Sequence, residues 1–126
     1  MTKIVFYRSQ GIFYGFEERG HVGFGEWGAD PFCAMLSSIT MYIVDAIEEV
    51  YHSEVDYRID DENAVISIRS KAALPEFEED DRVRYAVSGL FLTYYMMLTD
   101  MLANDEMYEF TKDAGFEVTV ENRDYE

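Results

Sequence analysis

Cysteine is almost missing from this sequence: Cys33 is the only one. An intramolecular disulfide is thereby excluded, and a single cysteine fits a reducing compartment, read here as the cytoplasm. Basic residues are scarce as well, with 10 Lys and Arg against 26 Asp and Glu, for a net charge of −16. No basic stripe is left to meet phosphates, so direct nucleic-acid binding is not expected. The acidic balance favours solubility and attraction to basic partners instead. Long apolar runs are missing too. The uncharged stretches 31–44 and 85–99 fall short of a membrane span, and their helical periodicity marks them as core helices. The start, Met1 to Gln10, is a short strand-like run broken by Arg8 and does not read as a signal peptide. Histidine occurs only at positions 21 and 52.

What remains is enough for one domain, residues 1–126, with an ordinary apolar share of 48% and a high aromatic share of 16%. Lys3 to Tyr7 reads as a strand, Ser9-Gln10-Gly11 as a turn, and Ile12 to Arg19 as a returning strand with a bulge at Gly15. From Pro31 or Phe32 to about Tyr51, Leu36, Ile39, Ile43, Ile47 and Val50 recur at helical spacing. Glu54–Ile59 and Ala64–Ile68 form a hairpin around an acidic tip that lacks the ligand spacing of a calcium loop. No metal or cofactor site is expected. An acidic linker, Pro75 to Asp81, leads into a second helix over about Asp80–Ala103. Its stripe runs through Val83, Val87, Leu90, Tyr94, Met97 and Met101, and is wide enough to serve a dimer interface as well. Phe116 to Val120 supplies a last strand. The order β-β-α-β-β-α-β predicts an α+β two-layer sandwich, one mainly antiparallel sheet with two helices packed on one face.

The chemistry gathers between Gly20 and Ser37. Asp30 followed by Pro31 is a helix-start signal, with Asp as N-cap and Pro at the first helical position. Cys33 then sits in the first turn, where the helix dipole and unpaired backbone N–H groups favour the reactive thiolate. Ser37, four residues on, shares its helix face. His52 lies 19 residues downstream, roughly 28 Å away along an unbroken helix, so only His21 can serve the thiol. Gly23, Gly25 and Gly28 let the connection fold back on itself. Such a Cys–His pair is the minimal apparatus of nucleophilic acyl transfer. Outside this setting a single cysteine is most often a small buried hydrophobe. Asp30 reads first as a structural cap and second as a group orienting His21, since a carboxylate this close to the thiol opposes its ionisation.

The strings Gly20-His21-Val22-Gly23, Gly28-Ala29-Asp30 and Cys33-Ala34-Met35-Leu36-Ser37 resemble the ribosomal-processing cysteine protease (Prp) family. Its pattern is roughly GHAG, a loop, G-x-D-x-x-C, then A-x-x-S. Val22 departs from the usual Ala, and Pro31-Phe32 replaces a pair of aliphatics. The resemblance implies a cysteine endopeptidase with Cys33 as nucleophile and His21 as base. Ser37 and Asp30 would support them, and Gly20, Gly23, Gly25 and Gly28 would form the connecting loop. It implies, further, a homodimer and a ribosomal protein precursor as substrate: the N-terminal extension of the bacterial large-subunit protein numbered twenty-seven. Phe24, Trp27 and Phe32 are candidates for a groove receiving an apolar segment of that precursor. The alternative is a non-catalytic acidic binding module of the same fold that associates with a basic ribosomal protein.

Overall fold

The computed structural model describes residues 2–20, 31–104 and 115–126. Strand β1 (Thr2–Ser9) turns into β2 (Ile12–Arg19) through Gln10 and Gly11, with φ of 50° and 82°. Two consecutive positive φ values match the twist of a tight hairpin. Helix α1 (Pro31–Asp45) follows, then the hairpin β3 (Asp56–Asp60) and β4 (Val65–Arg69), helix α2 (Asp81–Ala103) and β5 (Phe116–Asn122). These form one sheet ordered β3-β4-β2-β1-β5. Three pairings are antiparallel, and only β5 runs parallel to its neighbour β1. The predicted element order and the mainly antiparallel sheet are both present.

One face of the sheet carries the core. Ile4 and Phe6 of β1 lie beside Glu18 and Phe16 of β2, which lie beside Ile66 and Ile68 of β4. All six are buried. Both helices cover this face. From α2, Phe91 and Tyr94 place their rings 6.0 and 5.0 Å from Phe16, and Tyr94 also meets Phe6 at 5.6 Å. At 23 residues, α2 is long and apolar enough to cross a membrane by length and composition. Its Val87, Phe91, Tyr94, Leu98 and Met101 are nevertheless buried in this domain's core. Asp80 caps it, accepting from the Arg82 amide at 2.9 Å.

Helix α1 departs from the expected regular stripe at its far end. Residues Ala46–Val50 widen into a π-helical turn, closed by the Tyr51 amide on the Ala46 carbonyl at 3.0 Å. The wider turn advances the phase of the helix. Ile47 stays buried, but Val50 comes out 64% exposed, so it does not belong to the core stripe.

The opposite face is organised by a bulge. Tyr7 pairs with Gly15 and Arg8 with Phe13, which leaves Tyr14 as the extra residue of β2. Gly15 also pairs with Arg69, whose side chain lies across it. A Cβ on Gly15 would stand 2.6 Å from the Ile68 carbonyl oxygen and 2.8 Å from Arg69 Cγ. Gly15→Ala is therefore expected to cost about 1–3 kcal/mol, as overpacking does. A lower midpoint in urea unfolding checks this; an unchanged midpoint would mean that β4 yields without penalty.

Candidate active site

Pro31 opens α1, as the Asp-Pro signal predicts, and Cys33 lies in its first turn, half-buried. No acidic side chain stands in that turn. The amides at a helix start lack intrahelical acceptors and point along the positive end of the dipole, so an oxygen developing negative charge beside Cys33 has donors at hand. Ser37, also half-buried, lies one turn further along. Gly20 follows β2 with φ of 74°, a left-handed conformation that favours glycine, and its amide donates to the Ala64 carbonyl at 3.1 Å. His21, Gly23, Phe24, Gly25, Trp27, Gly28 and Asp30 lie outside the described residues.

Phe32 differs from expectation. It is 1% exposed and stacks on Phe116 at 4.5 Å between centroids, tying the head of α1 to the start of β5. The side chain proposed as a groove wall is a core side chain. Its neighbour Cys33 is presented on a helix start that this aromatic pair fixes to the sheet. His52 stands far along the chain, exposed, with φ of 50° after the π turn.

A polar cluster that sequence reasoning missed lies under the same helix. Glu18, fully buried, accepts from Thr40 Oγ1 at 3.2 Å and from the Tyr94 hydroxyl at 2.7 Å, both on Oε1. Burial pushes the Glu18 carboxyl up to about 7, against the downward pull of those two donors. Burial and the adjoining carboxylate hold the Tyr94 hydroxyl well above its ordinary value. The signal was present in the sequence: alternation from Phe16 sets Glu18 inward, and Thr40 falls seven residues after Cys33, on the same helical face. On the other side of the sheet from α1, a depression of about 980 Å³ is lined by residues that include Tyr7, Glu17, Arg58, Asp60, Arg69 and Arg123.

A thiol in the first turn of the first helix, on a mixed sheet beneath two helices, is placed where a cysteine nucleophile can act. The sequence profile of the cysteine protease Prp family matches residues 1–74, and the chain belongs to that family. No curated protein matches the chain. Among solved structures, SMU.848 from Streptococcus mutans is similar at 22% identity and a TM-score of 0.68, covering 98% of this chain and 99% of its own. The ribosomal processing protease Prp from S. aureus, with a covalently linked product peptide, is similar at 21% identity and a TM-score of 0.63. The same protease with a substrate peptide gives 20% identity and a TM-score of 0.59. Each S. aureus structure is matched over 96% of this chain and 100% of that one. These likenesses bear on the fold.

The buried carboxyl makes stability depend on pH with a definite sign. Unfolded, Glu18 loses its proton near its ordinary 4.5; folded, it keeps it to about 7. Its contribution is fully present below the lower value and is lost as pH rises through the upper one. The loss amounts to roughly 3 kcal/mol. Glu18→Gln does not titrate, so its stability relative to the unmodified protein should improve by about that much between pH 5 and pH 8. Urea unfolding at both pH values measures it, and a constant difference between the two proteins would refute it.

Proposed function

We propose that this protein is a ribosomal-processing endopeptidase working through a Cys33–His21 dyad. Cys33 Sγ attacks the scissile carbonyl carbon and His21 takes the thiol proton. His21 then passes that proton to the leaving amine, and the acyl-enzyme thioester is hydrolysed by water. Amides of the first turn of α1 stabilise the oxyanion. Ser37 positions the sulfur from one turn away, and Asp30 caps the helix. The observation that carries this reading is the place of Cys33, in the first turn of a long helix, within a chain of the Prp family. The proposed substrate is the N-terminal extension of the bacterial large-subunit ribosomal protein numbered twenty-seven. The S. aureus relative, described as a ribosomal processing protease, supports it, as does a net charge of −16 that attracts a basic precursor. We place the reaction in the cytoplasm, with no cofactor.

Incubating the host's own precursor with the protein and with Cys33→Ala, followed by mass spectrometry, tests the assignment. One new N-terminus, made only by the unmodified protein, is the expected result. Absence of cleavage would favour the acidic binding module.

We propose further that the chain works as a homodimer joined through the outer side of its helices. Tyr42, Tyr85 and Met96 are 66, 79 and 59% exposed there. Beside them an apolar groove of about 520 Å³ runs between α1 and α2. Sedimentation analysis should give twice the chain mass, and Tyr85→Glu should shift it toward the monomer.

A further inference from the structure

Helix α1 makes one polar contact with β2 that lies in line with the thiol. Cys33, Ser37 and Thr40 are spaced i, i+4, i+7 and so share one face of the helix. Thr40 stands two turns below Cys33, about 10 Å along the axis. Its hydroxyl donates to the Glu18 carboxyl at 3.2 Å, and the Tyr94 hydroxyl of α2 donates to the same oxygen at 2.7 Å. Three elements therefore meet at one atom. Glu18 is also the last residue but one of β2, from which the chain proceeds through Gly20 to His21.

We propose that Glu18 is a positioning residue for the reaction: held by Thr40 and Tyr94, it fixes the azimuth and height of α1 over β2. This sets where Cys33 stands relative to the strand end that leads to His21. The inference rests on the dyad reading above and adds a residue that acts on the thiol through the helix carrying it. The surroundings make the carboxyl a selective anchor. Its lateral neighbours on β1 and β4 are Ile4 and Ile66, and the groups facing it from α1 and α2 are Thr40 and Tyr94. Neither of those two lateral neighbours offers a polar side chain. If Thr40 slips by one helical position, its hydroxyl leaves the carboxyl, and an unpaired buried donor or acceptor is costly. Apolar contacts from Leu36 and Ile43 are non-directional by comparison and leave the helix azimuth less tightly set.

Two fold-preserving substitutions test this. Thr40→Val removes the hydroxyl with little change of shape, and Tyr94→Phe removes the second donor; Thr40→Ser restores the first. Cys33 is alkylated with iodoacetamide at neutral pH and followed by intact mass, and kcat and KM are measured on the precursor. Thr40→Val should slow both alkylation and kcat on the order of tenfold with KM unchanged, within the ~10²-fold that a misplacement of 1 Å can cost. Thr40→Ser should recover most of the loss. A merely structural role predicts the opposite sign, because a loosened core exposes the thiol and speeds alkylation. Alkylation unchanged or faster in both Thr40→Val and Tyr94→Phe overturns the proposal. The alkylation arm needs no cleavage. A wild-type protein that cuts no precursor ends the protease reading, while the alkylation rates still decide on Glu18.

Discussion

Glu18 shares its sheet face with Ile4, Phe6, Phe16, Ile66 and Ile68, and its donors come from two different helices. A carboxyl removed from water is costly unless hydrogen-bonded. Here the hydrogen bonds exist only when α1 and α2 are both docked on β2. Apolar packing would let either helix settle at several azimuths; the shared carboxyl oxygen selects one. The head of α1 is held independently by the Phe32–Phe116 stack. Helix α1 is thereby pinned at two points along its length, with Cys33 immediately beside the first and two turns from the second.

Among the described residues no helix covers the other face of the sheet, where Tyr7, Tyr14 and Tyr125 gather instead. The cross-strand row Tyr7, Gly15, Arg69 and Asp56 is flat in its middle, because Gly15 leaves room for the Arg69 side chain. Into this row folds the segment after β5. Tyr125 lies under the Arg69 guanidinium at 4.6 Å, 5.3 Å from the Tyr14 ring, and its hydroxyl donates to Asp56 at 3.2 Å. Tyr14, the bulged residue, donates to the Arg123 carbonyl at 2.8 Å. The bulge thus has a packing role: it supplies an extra aromatic side chain where the returning chain needs one. Cation–π stacking and the partly buried Arg69–Asp56 ion pair cover this face.

Much of this was legible in the residues. Alternation in β1, β2 and β4 reports the buried face directly, the Asp-Pro pair marks the start of α1, and the acidic tip between Asp60 and Asn63 marks the hairpin turn. Gly15 signalled the bulge within one residue. The parallel placement of β5 beside β1 was not legible, because strand order depends on contacts between distant segments rather than on local pattern. Val50 escaped because periodicity assumes 3.6 residues per turn, and the π turn at Ala46–Val50 breaks that assumption. Phe32 was misread because residue type beside a nucleophile suggests substrate contact, whereas its partner Phe116 is 84 positions away. Glu18 was passed over for a related reason. A glutamate in a strand reads as solvent-facing, and only the inward neighbours of its own strand argue otherwise.

The division of the chain by family likeness gives this cluster a particular meaning. The match to the Prp family spans residues 1–74, which includes Glu18, Cys33, Ser37 and Thr40 but stops short of α2. Tyr94 therefore comes from the part of the chain that the family profile does not cover, and it makes the shorter of the two bonds to Glu18. The same helix carries Tyr85 and Met96 on its outer side, exposed, and Phe91 and Leu98 on its inner side, buried. Tyr94 on the inner side of α2 and Thr40 on α1 meet at the Glu18 carboxyl, so the two helices share one hydrogen-bonded contact on β2. Packed interiors transmit displacement because they are dense and stiff. The helix whose outer face carries Tyr85 and Met96 is thus joined to the helix that presents the thiol through Tyr94, Glu18 and Thr40.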